Sequence, residues 1–448
     1  MDSNISQPRT VPGSDDIREI LVRRIDHQKQ AVGIVAGVIE PNGRRVVAYG
    51  HPANGDPRTV DGDTIFEIGS VSKVFTSLLL ADMVTRNEVA LDDPAAKYLP
   101  GDVTLPVRNG KSITLLDLST HTSGLPSLPS NLKPKDPRNP YADYSVDDLY
   151  RFVSGYTLPR DPGSEFEYSN LGAGLLGHLL ASRAETDYES AIRVRITEPL
   201  SMPDTGIALS SAMKQRMATG HNAMLVPVAN WDLPTLAGAG ALRSSVNDML
   251  TFLEAFLGYR KSPLAPAMKA MLDVRRPMGK GEIGLAWFLL GEGAWHGGGT
   301  GGFRSFLGCE PNAGIGVVVL SNASTPIGVD DIGGHLLNQN VPLADLEPPQ
   351  PRTEIPVDPQ LLDHYTGRYQ ATPQLMIEIT RDGDRLFAQA IAQAISGPKF
   401  EVFAESEKRF FAKVTDKQIA FDTGPDGRAT RLILYAAGRQ LMTAPRVS

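Results

Sequence analysis

Cysteine is almost absent: Cys309 is the single one in 448 residues. One thiol cannot form an internal disulfide, and a cysteine-based metal cluster is excluded with it. No apolar run approaches the roughly 18 residues that signal a membrane-crossing helix, so no membrane span is expected. Long blocks of one charge are missing too. The 44 Lys and Arg against 51 Asp and Glu leave a net charge of −7, a mild balance that indicates neither a nucleic-acid partner nor an anionic-membrane surface. The N-terminal stretch MDSNISQPRTVPGSDD has no basic segment followed by an apolar one. The expectation is a cytoplasmic protein, although a trimmed secreted protein would read the same way.

Two catalytic signatures are also absent. Without Gly-x-Ser-x-Gly, the α/β-hydrolase elbow is excluded. Without His-Glu-x-x-His and with the eight histidines scattered, a metal site is not expected. His121, His178, His221 and His335 read as structural or surface residues.

What is present is ordinary globular material, 41% hydrophobic and 21% charged, in a chain long enough for roughly three units. Asp15 to Gln30 reads as a charged amphipathic helix. Ala31 to Ile39 and Arg44 to Gly50 read as strands joined around Pro41-Asn42-Gly43, a strong hairpin signal. From Ser70 to about Arg260 the pattern is mostly helical, interrupted by loops such as Leu125 to Pro140 with its five prolines. Strands return at Gly284 to Leu290, Phe303 to Glu310 and Ile315 to Leu320, followed by a helix over Asp330 to Asn340. This order predicts an α+β fold, with an antiparallel sheet flanked by helices plus an inserted all-α lobe at about 75–280. The stretch LADLEPPQPRTEIPVDP holds five prolines and reads as a linker over 344–359. About eight short alternating segments follow, with turns at Asp382-Gly383, Asp416-Lys417 and Asp426-Gly427. They predict a small C-terminal β-barrel or sandwich over 360–448.

Three motifs carry candidate chemistry. Ser-x-x-Lys occurs four times, at Ser70/Lys73, Ser130/Lys133, Ser211/Lys214 and Ser396/Lys399. Only Ser70 follows an extended segment, Thr64 to Ile68, and a glycine, Gly69, with helical apolar spacing beyond it. That setting puts Ser70 and Lys73 one turn apart on one face. A serine hydroxyl needs a base within reach, and a lysine serves once burial lowers its pKa. The helix N-terminus would also offer N–H groups to a developing oxyanion. The plainer alternative is a serine N-cap followed by a solvated lysine.

The second motif is Tyr168-Ser169-Asn170, the sole Tyr-x-Asn in the chain, just before an apolar helix. A phenol beside a lysine can relay protons and an asparagine can hold a substrate amide. Alternatively, Tyr168 packs and Asn170 caps the helix. Ser245-Val246-Asn247 is a formal rival that reads as capping. The third motif is WHGGGTGGF, with five glycines between strand segments. Such density weakens a sheet unless backbone must approach something closely, here a substrate, with an N–H near Gly299 as an oxyanion donor. A simple glycine-rich bulge is the alternative. Phosphate cradling is disfavoured, because no Lys-Ser/Thr follows.

In this order, the three motifs resemble the serine β-lactamase and penicillin-binding-protein superfamily. The similarity is to the branch of class C β-lactamases, D-alanyl-D-alanine carboxypeptidases, D-aminopeptidases and esterases. ITLLDLSTHTSGLP (Ile113 to Pro126), GAGALRSSVNDMLTFL (Gly238 to Leu253) and GIGVVVLSN (Gly314 to Asn322) resemble it as well. The resemblance covers roughly 15–340 and implies a β-lactamase-like hydrolase domain over 1–343. It implies Ser70 as acylated nucleophile, Lys73 as its base, Tyr168 as proton relay, and Asn170, His296, Gly298 and Gly299 as substrate-binding positions. The implied oxyanion hole is the N–H groups of Ser70 and Gly299, with neither metal nor organic cofactor. The C-terminal segment resembles lipocalin-like domains appended to some members, which can border the cleft and restrict substrate size.

One departure matters. The family's third motif usually begins with lysine, often as Lys-Thr-Gly; here His296-Gly297-Gly298 stands in its place. Histidine carries no permanent charge to grip a carboxylate, and Gly297 lacks a hydroxyl. The expectation is therefore a serine hydrolase forming an acyl-enzyme on a small molecule or peptide: a carboxylic ester, an amide or a D-amino-acid peptide. The alternatives are a class C-type β-lactamase and a penicillin-binding sensor with little turnover.

Overall fold

The structure, a computed structural model, describes residues 11–348, 352–373, 375–392, 395–413, 417–436 and 439–448. Asp416, the first residue of one expected turn, lies outside the described residues, as do positions 1–10 and prolines 349 and 351 of the expected linker. The chain forms two compact units. The first comprises the residues up to His27, Ala31–His221 and Pro227–Ala344; the second comprises Asp345–Ser448 together with 28–30 and 222–226.

The first unit is built on an eight-stranded antiparallel sheet. Its spatial order is Gly43–Gly50, Gly33–Glu40, Ile315–Ser321, Arg304–Glu310, Gly293–Gly299, Phe288–Leu290, Gly281–Ile283, Arg276–Met278. The expected hairpin forms, with Glu40 paired to Gly43 across Pro41-Asn42. Helices Ser14–Val22 and Asp330–Leu337 pack on this sheet, and Val246–Phe256 packs across its strands Gly33–Glu40 and Ile315–Ser321. A glycine allows that last approach: a Cβ on Gly37 would lie 2.6 Å from the Val246 side chain.

Most of the remaining first-unit residues form the helical lobe. Its two 14-residue helices, Ser72–Thr85 and Asn170–Arg183, are buried over most of their circumference. Such helices lose the one-faced pattern of surface helices, because neighbours cover every side. Phe75, Leu78, Leu79, Leu175 and Leu179 join one continuous core.

Three boundaries differ from expectation. The strand expected over Gly284 to Leu290 is confined to Phe288–Leu290, because Gly284 N–H donates to Trp287 O at 2.8 Å and Ala286 takes a φ of 63°. A turn therefore occupies the first half of that segment. The terminal helix stops at Leu337, where Asn338 leaves helical geometry with φ −150°. The first helix covers Ser14–Val22 and widens into a π-turn over Arg23–His27.

The second unit is an eight-stranded antiparallel meander running from Gly367–Thr372 to Arg439–Pro445 in sequential order. Its ends meet: Arg368 N–H donates to Ser448 O and Val447 N–H donates to Arg368 O, each at 2.8 Å, making the barrel nearly closed. The interior holds Tyr365, Tyr369, Phe410, Phe421 and Leu432, with Tyr365 and Phe421 stacked at 4.4 Å. Ser396/Lys399, the fourth Ser-x-x-Lys pair, falls inside the strand Ile395–Ser406, where no helical turn aligns it.

Candidate active site

Placement of Ser70 begins with Phe66-Glu67, which pairs antiparallel with Arg243-Ser244. Gly69 then turns the chain at φ 49°, a left-handed conformation, and a Cβ there would fall 2.6 Å from Gly299 N. Glycine is required at this position by both conformation and space. Ser70 lies in a 3-10 turn, Gly69–Val71, that feeds the helix starting at Ser72, and no side chain caps that helix. The hydroxyl is thus not spent on a cap.

Lys73 is 1% exposed, and its ammonium nitrogen touches three oxygens: Ser70 Oγ at 2.9 Å, Asn170 Oδ1 at 2.8 Å and Ala239 O at 2.6 Å. Burial holds the Lys73 pKa well below its ordinary value. A deep amine loses hydration when charged, so its neutral form, which owns a lone pair, becomes accessible. The amine also lies 4.9 Å from the centre of the Tyr168 ring. Burial raises the Tyr168 hydroxyl, and a hydrogen bond with Ser70 offsets part of that rise.

The second motif is arranged by its middle residue. Ser169, rather than Asn170, caps the helix: its Oγ accepts from Gly172 N–H at 2.8 Å. Asn170 is therefore free to present its carbonyl to Lys73.

The third motif is the half of an interior strand that is paired on one side only. Gly293–Gly299 pairs along one side with Arg304–Cys309, but on the other side only Gly293 to Trp295 are paired. His296 to Gly299 are thus left along the open edge. His296 is 1% exposed, stacks on Phe288 at 4.9 Å, and shares a 2.6 Å bond between Nδ1 and Gly297 O. Burial, then Lys73, pushes His296 down to about 3, so the imidazole is neutral. A carbonyl only accepts, so Nδ1 carries the proton.

The glycines make room in three directions. A Cβ on Gly298 would meet Ile68 O at 2.2 Å and approach Ser70 N at 3.1 Å. On Gly299 it would strike Arg304 Nη1 at 2.3 Å, and on Gly297 it would lie 2.8 Å from Asp330 Oδ1. The structure thus brings Ser70, Lys73, Tyr168, Asn170, His296, Gly298 and Gly299 together. The formal rivals are elsewhere or otherwise employed: Ser210 caps the helix containing Ser211 and Lys214, and Ser245 caps Val246–Phe256.

A cavity of about 240 Å³ is lined by Ser70, Asn170 and Gly299 together with Tyr141, Trp231 and Leu236. Tyr141 and Trp231 meet edge to face at 5.4 Å. Behind this wall lies Glu67, whose carboxylate accepts from Trp231 N–H at 3.0 Å. Burial raises the Glu67 pKa, countered by Thr300 and Arg243. Sequence reasoning missed Glu67 and Asp330 as cleft residues. Each meets its neighbour only through the tertiary fold, with Glu67 164 positions from Trp231. Among the described residues, no group of three or more His, Cys, Asp or Glu is placed to hold a metal ion. No described helix is long and apolar enough to cross a membrane.

The chain is 29% identical over 341 residues to the D-alanyl-D-alanine-carboxypeptidase/endopeptidase AmpH of Escherichia coli K12, covering 71% of this chain and 87% of that protein. It is 28% identical over 365 residues to a β-lactamase of the same strain, covering 71% and 92%. Among solved structures, the class C β-lactamase from Rhodobacter sphaeroides shares the fold with a TM-score of 0.63 at 24% identity, covering 73% of this chain and 99% of that one. The β-lactamase/D-alanine carboxypeptidase from Yersinia pestis gives 0.64 at 24%, covering 73% and 97%. A domain of unknown function (DUF3471) matches residues 351–445. The Beta-lactamase family model matches residues 19–339, and the chain belongs to that family.

Proposed function

We propose that this protein is a serine acyl hydrolase that forms a covalent acyl-enzyme at Ser70 on uncharged carboxylic esters, amides or D-amino-acid peptides. The observation that carries the reading is the 2.9 Å contact between Ser70 Oγ and a buried Lys73 amine. In its neutral form that amine takes the Ser70 proton as Oγ attacks the carbonyl carbon. The N–H groups of Ser70 and Gly299 receive the developing oxyanion. Tyr168 passes a proton to the departing alcohol or amine as the C–O or C–N bond breaks, and Asn170 positions the substrate. Water then attacks the ester of Ser70 and yields its proton to the Tyr168–Lys73 pair. Oγ regains its proton as the acid departs.

The half-paired strand Gly293–Gly299 supports this substrate class. His296 is neutral, and Asp330 stands beside Gly297 where the family usually places a hydroxyl. That surface favours a leaving group without a carboxylate. The Tyr141–Trp231 wall favours an apolar or aromatic acyl group. A class C-type β-lactamase is the second reading, supported by the β-lactamase among the relatives and opposed by the same strand. For the domains, we propose hydrolase over 1–343, linker over 344–359 and a lipocalin-like barrel over 360–448.

Intact-protein mass after brief mixing with a p-nitrophenyl ester, and separately with a penicillin, tests both readings against Ser70→Ala. A transient ester adduct, absent in the variant, supports the hydrolase. Rapid penicillin turnover revives the β-lactamase. No adduct and no Ser70-dependent product from either would leave a binding protein.

A further inference from the structure

His121 is 2% exposed and takes a φ of 55°, left-handed backbone that is uncommon outside glycine. That conformation lets one residue reach both sides of Tyr168. The His121 carbonyl accepts from Glu167 N–H at 2.8 Å, and His121 Nδ1 accepts from Ser169 N–H at 3.2 Å. Its ring lies against the Tyr168 ring at 4.5 Å and meets Phe166 edge-on at 5.9 Å. The peptide groups before and after the phenol, and the phenol itself, therefore share one neighbour.

A purely apolar residue could fill this volume, but it would leave the buried Ser169 N–H without an acceptor. Because Nδ1 accepts from a backbone donor, the ring proton sits on Nε2. That nitrogen has no hydrogen-bond partner among the described residues. Burial, then Lys73, disfavours protonation of the ring, which keeps Nδ1 available as an acceptor.

We propose that His121 is the positioning residue of Tyr168, holding the phenol beside Ser70 and Lys73 through hydrogen bonds to the residues on either side of it. This rests on the reading of Tyr168 as a proton relay. His121 contributes no proton and touches no reacting atom; it narrows the range of places the phenol can occupy. A displacement of about 1 Å at a catalytic group is enough to reduce turnover by up to about 10²-fold.

The test is a double-mutant cycle in the full-length enzyme, with kcat and KM measured on a p-nitrophenyl ester and folding checked by thermal melting. The variants are His121→Gly, His121→Asn, Tyr168→Phe and His121→Gly/Tyr168→Phe. Glycine accepts the left-handed backbone but removes the acceptor, whereas asparagine accepts that backbone and keeps a short side-chain oxygen. We expect His121→Gly to lower kcat about tenfold or more with KM nearly unchanged, and His121→Asn to recover most of that loss. In the Tyr168→Phe background, the glycine substitution should cost less than about twofold further, because its target is gone. If His121→Gly does not fold, His121→Gln, whose amide reaches past the Nδ1 position, replaces it in both backgrounds. Equal losses in the two backgrounds, or an asparagine variant as impaired as glycine while both melt like wild type, overturn the positioning role alone. A Tyr168→Phe enzyme with undiminished kcat overturns the relay reading and the proposal with it.

Discussion

On the helical side of the cleft, Lys73 touches three oxygens and lies over Tyr168; on the strand side, a neutral imidazole and three glycines face the same space. The helical wall holds a hydroxyl, a buried amine and a phenol within one hydrogen-bonded group. The strand wall instead has backbone approach, with an aspartate beside Gly297 and an arginine beside Gly299. On the proposed mechanism the proton-transfer groups, Lys73 and Tyr168, belong to the helical side, whereas the strand supplies the Gly299 N–H and the charge environment beside it.

The largest effect should come from the helical wall. Lys73→Ala is expected to lower ester kcat/KM by about 10³- to 10⁴-fold. In the wild type, kcat/KM should rise with pH through an apparent pKa well below the ordinary lysine value, since burial depresses Lys73. The sign follows from the base role: below that pKa the amine is an ammonium without a lone pair, and activity falls as pH falls. An acid limb at the ordinary lysine position, or one that persists in Lys73→Ala, would break the comparison.

On the strand wall, Gly298→Ala should have the next largest effect, because its Cβ would meet the Ile68 carbonyl at 2.2 Å, fixed backbone two residues before Ser70. We expect a loss of about 1–3 kcal/mol in urea unfolding together with a drop in kcat. Full activity with unchanged stability would show that the strand does not press on the nucleophile turn.

Charge at the strand edge gives a smaller effect. Asp330→Asn removes the carboxylate beside Gly297 and should speed acylation by a penicillin, which carries a carboxylate, by about two- to fivefold. A neutral p-nitrophenyl ester should respond little. Equal acceleration of both substrates would assign Asp330 no part in recognition. Ser169→Ala, read in stability rather than turnover, removes the cap on Asn170–Arg183 and the Oγ donation to Pro126 O, and should cost about 1 kcal/mol in thermal or urea unfolding.

The legible residues share a local signature. Ser70 and Lys73 lie three positions apart, and Tyr168 and Asn170 flank a serine at a helix start, so a short window reveals each pair. His121 read as structural or surface because nothing within a few residues explains it; its partner Ser169 lies 48 positions on. Asp330 and Glu67 were missed for the same reason. In the fold, the strand expected from Gly284 was shortened by a turn with left-handed Ala286, which apolar composition does not announce.

By itself, the sequence determined the α+β architecture, the barrel after the proline-rich stretch, and the residue types that meet in the cleft, because periodicity and short motifs are properties of neighbouring residues. Only the tertiary structure decided that Lys73 is stripped of water, that His296 is neutral, that Asp330 stands beside Gly297, and that His121 holds Tyr168 from both sides. Those outcomes depend on burial and on distances between segments far apart in the chain, and both arise only once the segments pack.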